Sequence, residues 1–123
     1  MADRDAIHWK EEYENASVRE RNQFARLDVE ALIQKVREGV FGDYFGIWYA
    51  IADNATLRQA GWTLYSILTS NVDYLYRYHA AAALIKLLRS TLEPVALSAK
   101  RPTLEANLAT VREELLRLIG PPV

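Results

Sequence analysis

The chain of 123 residues contains no cysteine, which excludes disulfides and thiolate metal sites. Glycine and proline are sparse, with five and four residues, and they gather at a few points rather than forming linkers. No apolar run approaches the roughly twenty residues that a membrane-spanning helix needs. Behind the N-terminal Met-Ala-Asp-Arg-Asp there is no apolar signal core. These absences lead to the expectation of a soluble cytoplasmic protein with no membrane contact. A surplus of one charge is missing too. Fifteen basic residues meet sixteen acidic ones, for a formal net charge of −1. The basic excess that usually marks phosphate-backbone binding is therefore not there.

Half the residues are apolar and a quarter are charged, a globular balance. The charges are unevenly placed. Residues 39–71 carry only Asp43, Asp53 and Arg58, while both flanks are rich in acids and bases. A chain of this length buries enough surface for a core without metals or cross-links.

Apolar spacing predicts helices throughout. Residues 5–25 read as one or two polar helices, with Trp9, Tyr13 and Ala16 on one face. Asp28 caps a helix over 28–38 whose buried stripe is Val29, Leu32, Ile33 and Val36, with Gly39 as its left-handed stop. Asp43 is the expected N-cap of an almost wholly apolar helix over 44–53. Further helices follow over 55–69 and 72–90. A short one over 93–99 starts at Pro94, and a last one is opened by Pro102 and Thr103. In that last helix Leu104, Leu108, Val111, Leu115 and Leu118 share a face. No segment alternates as a strand does. The expected fold is all-α, one compact domain of six to seven antiparallel helices joined by short linkers. In this division residues 1–27 form a polar N-terminal helical arm, 28–119 the helical domain and 120–123 a tail.

Two central helices share a pattern. Leu57-Arg58-x-Ala60-Gly61-x-x-Leu64-x-x-x-Leu68 parallels Tyr76-Arg77-x-x-Ala80-Ala81-x-x-Leu84-x-x-x-Leu88, offset by twenty residues from the alanines onward. Over residues 43–90 this resembles HEAT-type helical repeats. Arg77, Ala80, Ala81, Ala83, Leu84 and Leu87 are similar to the arginine, small pair and leucines of that family's second helix. The resemblance implies a HEAT-like repeat arrangement. A HEAT unit spans roughly 40 residues, so an irregular helical bundle stands beside it as the alternative.

Catalytic motifs are not found. Asp5-x-x-His8-x-x-x-Glu12 lies on one helical face, but one helix seldom completes a metal site, and a solvated face accounts for it. Gly39-x-x-Gly42-x-x-x-Gly46 lacks the lysine of a phosphate loop. No catalytic residue, metal ligand or cofactor is expected. The aromatic content is what asks for a function. Tyr44, Trp48, Tyr49, Trp62, Tyr65, Tyr74 and Tyr78, with Arg77 and His79, are more large polar-tipped rings than so small a core readily hides. They are the candidate partner surface of a protein-interaction or scaffold module, one able to self-associate. A second reading makes Tyr74, Arg77, Tyr78, His79 and Trp48 the lining of a small-molecule pocket, with His79 as a general base if the protein is an enzyme. A third assigns nucleic-acid binding to Arg77, Lys86 and Arg89, beside Lys100 and Arg101. The near-neutral total charge weighs against it.

Overall fold

The structure, a computed structural model, describes residues 2–98 and 104–122, with side chains described from Trp9 onward. Seven helices and no strand occur among these residues: α1 (Ala2–Ala25), α2 (Val29–Arg37), α3 (Gly46–Asn54), α4 (Leu57–Leu68), α5 (Tyr74–Leu88), α6 (Val95–Ser98) and α7 (Leu104–Ile119). The fold is all-α and compact, as the periodicity requires. None of the described helices is long and apolar enough to cross a membrane.

Helix ends follow local chemistry where that chemistry is local. Asp28 accepts a hydrogen bond from the Ala31 amide at 2.9 Å and starts α2. The left-handed Gly39 (φ 78°) follows its end. A capping box starts α4: the Thr56 hydroxyl accepts from the Gln59 amide, and the Gln59 side chain accepts from the Thr56 amide. The start of α3 differs from expectation. Asp43 does not cap it. The helix begins at Gly46, and Phe45 before it is left-handed (φ 62°) with no side-chain cap. Glu20 of α1 does the work instead. Its carboxylate accepts from the amides of Asp43, Tyr44 and Gly46 at 3.0–3.1 Å. A distant acid thus satisfies the first free donor of this helix and two amides of the loop before it.

That anchor needs close backbone approach. A Cβ on Gly46 would lie 2.7 Å from the backbone nitrogen of Arg21, and one on Gly42 2.5 Å from a Glu20 oxygen. The C-terminal half of α1 therefore lies directly on α3.

The core is one cluster drawn from α2 to α7. Trp48, Leu64 and Leu84 are fully buried in it, as are Ala80 and Ala81, which allow α4 and α5 to pack closely. At the edge, α7 touches α4 and α6 and buries only Val111 and Leu115. Leu118, expected on the same inward face, is 41% exposed because the neighbours of α7 cover only part of its stripe. The expected start of the last helix at Pro102-Thr103, the end of the short helix at residue 99, and Lys100 and Arg101 lie outside the described residues.

Candidate functional site

A cleft of about 380 Å³ opens where α1, α3 and α5 meet. Its lining follows from helical spacing. Trp48, Tyr49, Ala52 and Asp53 share one face of α3; Tyr78, His79, Ala82, Ala83 and Lys86 share one face of α5; Arg21 comes from α1. Alanines at 52, 82 and 83 leave the space, and larger side chains wall it. The size falls in the range of ligand pockets, roughly 300–1,000 Å³.

One wall is aromatic. His79 stacks on Phe45 with ring centroids 4.1 Å apart and planes 15° apart. The rings of Tyr49 and Tyr78 meet His79 edge-on, at 5.9 and 5.6 Å. The strained left-handed backbone of Phe45 delivers the stacking ring. Such a conformation costs a non-glycine residue about 1 kcal/mol or more, and the Glu20 bonds on either side of Phe45 hold it. The seam continues inward through Phe45–Tyr76 and Tyr76–Phe41 to Trp48. Trp48 is 1% exposed, and its buried indole N–H finds no acceptor among the described residues.

The other wall is ionic. Asp53 accepts from Arg21 through one oxygen and from Lys86 through the other, both at 2.7 Å, and so ties α1, α3 and α5 together. The guanidinium of Arg21 also lies 5.0 Å from the centre of the Tyr49 ring. Lys86, and then Arg21, hold the Asp53 carboxyl below its ordinary value of 3.8.

Burial pushes the pKa of His79 below its ordinary value of 6.5, since desolvation disfavours the cation. Its stabilising contribution is therefore present above pH 6.5 and is lost as the pH falls toward the lower folded-state value, because the unfolded chain binds the proton more readily. His79→Phe keeps a ring against Phe45 and removes the titration. The stability advantage of the native protein over this variant should shrink between pH 7.5 and 5.0 in urea titrations. An unchanged difference would show that His79 is not desolvated.

Of the residues singled out in the sequence, the structure brings Trp48, Tyr49, Tyr78 and His79 together. The rest lie elsewhere. Tyr44 meets Tyr13 edge-on at 5.4 Å. Trp62 donates its indole N–H to the Gly120 carbonyl at 2.9 Å and touches Tyr65. Tyr74 is exposed at the start of α5, 6.2 Å from Tyr78. Arg77 donates to the Val72 carbonyl at 2.7 Å and faces a separate depression beside Ser70 and Ser98. The proposed basic set is also divided. Arg77 and Lys86 are nine residues apart on α5, about half a turn around its axis. Arg89 is the left-handed C-cap of α5. The side chains of Asp5 and His8 lie outside the described residues. Among those described, no three His, Asp or Glu side chains converge as metal ligands.

Sequence reasoning missed Arg21, Asp53 and Phe45. Asp53 carries a partial signal: it is one of two carboxylates in a segment nearly free of charge, and any cation it pairs with comes mostly from outside that segment. Nothing distinguishes Arg21 from Arg19 or Arg26 before the fold is known. Comparison of the chain with protein families, curated proteins and solved structures finds no match.

Proposed function

We propose that this protein is a non-catalytic binding module whose recognition site is the cleft between α1, α3 and α5. The observation that carries this reading is the joining of an aromatic wall and an ionic wall around one space. A pocket with apolar rings and a few fixed polar groups is the usual form of a small-ligand site. His79 has ring contacts on several sides and no hydrogen-bonded carboxylate among the described residues. That environment suits a wall better than a general base, which is typically oriented by a partner.

The test is to fill the cleft. Ala82 is half-buried in its lining, and Ala82→Phe places a ring in the space. A panel of small aromatic compounds should shift the amide resonances of α3 and α5 in the native protein. In a folded Ala82→Phe variant the shifts should fall about tenfold or vanish. Equal binding by both proteins would place the site elsewhere.

A second reading, association with another copy of the chain, is favoured by one observation. Trp9 is 70% exposed and Tyr13 52% exposed on one face of α1. Sedimentation should then show a dimer that Trp9→Ala weakens about tenfold, since Trp anchors commonly dominate interfaces. A monomer at high protein concentration would remove this reading.

A further inference from the structure

We propose that the cleft takes a small aromatic anion, its negative group held between Arg21 and Lys86 and its ring among Tyr49, Tyr78 and His79. This rests on the reading of the cleft as a binding site and adds the chemical class of the ligand. Both cations reach opposite oxygens of the same carboxylate at 2.7 Å, so they stand close together. Each gives one N–H to Asp53. The remaining donors of the guanidinium and ammonium have no acceptor among the described residues.

The local charge favours an anion. Two cations face one carboxylate, and the desolvated His79 favours its neutral form. A surplus of one positive charge remains at the mouth of a partly apolar space. A cationic ligand meets two obstacles. It is repelled by that surplus, and Arg21 already lies over the Tyr49 ring that would otherwise attract it. The alanines at 52, 82 and 83 leave room for a flat body rather than a bare ion.

The experiment uses three probes with one ring system: 2-naphthoate, 2-naphthamide and 2-naphthylmethylammonium. Each is titrated into the full chain and followed by amide chemical shifts. The naphthoate should bind about fivefold tighter than the amide, the size expected for partly exposed ion pairs, and the ammonium should bind weakest. Two substitutions then move affinity in opposite directions. Lys86→Met removes a cation and should weaken naphthoate binding about fivefold. Asp53→Asn removes the competing carboxylate and should tighten it by a similar factor, although it loosens the tie between the helices. A merely structural role for Asp53 predicts the reverse.

Equal affinity for all three probes, confined to the cleft, would overturn the anionic class and leave the cleft as a binding site. Absence of binding by any probe up to millimolar concentration would overturn both.

Discussion

Gly46→Ala is expected to destabilise the protein by about 3 kcal/mol, the upper end for forcing a group into a packed contact. The added methyl would sit 2.7 Å from the Arg21 nitrogen and 2.9 Å from the Arg21 Cα. These are backbone atoms near the C-terminal end of α1, so no side chain can swing aside. The helix itself must move, and that pulls Glu20 away from the amides it holds at 3.0–3.1 Å. Arg21 moves with it and leaves both Asp53 and the cleft. Gly39→Ala is the control. Gly39, unlike Gly46, is left-handed, and a Cβ there meets nothing within 4 Å, so only the backbone penalty of about 1 kcal/mol applies. Urea unfolding of the two variants measures the contrast. Equal losses would show that α1 does not rest on α3 at Gly46.

Glu20→Ala should cost about 2 kcal/mol, within the range for losing hydrogen bonds to a charged group and leaving donors unpaired. Among the described residues the carboxylate is the sole side chain capping the start of α3, and its two oxygens divide three amides between them. Glu20→Gln should fall between alanine and the native protein. An amide keeps one acceptor oxygen but turns an N–H₂ group toward backbone donors. Hydrogen exchange gives a local reading: the amides of Tyr44 and Gly46 should exchange faster in both variants. A loss below about 0.5 kcal/mol, typical of an exposed position, would assign the cap to water.

Much of the helical order was legible because its signals are local. The stripe of α2 and its Asp28 cap lie within a few residues of each other, and so do the Thr56 and Gln59 of the α4 box. The start of α3 was not legible. Asp43 has the chemistry of a cap, yet the donors are claimed by an acid 23 residues or more upstream. The cleft was half legible. Spacing along α3 and α5 places Trp48 with Tyr49 and Tyr78 with His79, so the aromatic wall could be anticipated. Arg77 turns away from that wall to the Val72 carbonyl, and Tyr74 shares a face with Tyr78 but lies one turn earlier, at the exposed start of α5. The ionic wall could not be anticipated. It depends on which face α1 turns toward α3, and a polar helix carries little periodic signal about that.

The cap of α3 and the cleft meet at α1. Glu20 fixes the start of α3 and stabilises the left-handed Phe45, whose ring stacks on His79. The next residue, Arg21, closes the ionic wall. One turn of a polar helix thereby shapes both sides of the same space. Nuclear Overhauser contacts of bound 2-naphthoate test this most directly. The naphthyl protons should show contacts to the rings of Tyr49, Tyr78 and His79. Contacts to Trp9, Trp62 or Tyr74 with none to those rings would contradict this placement.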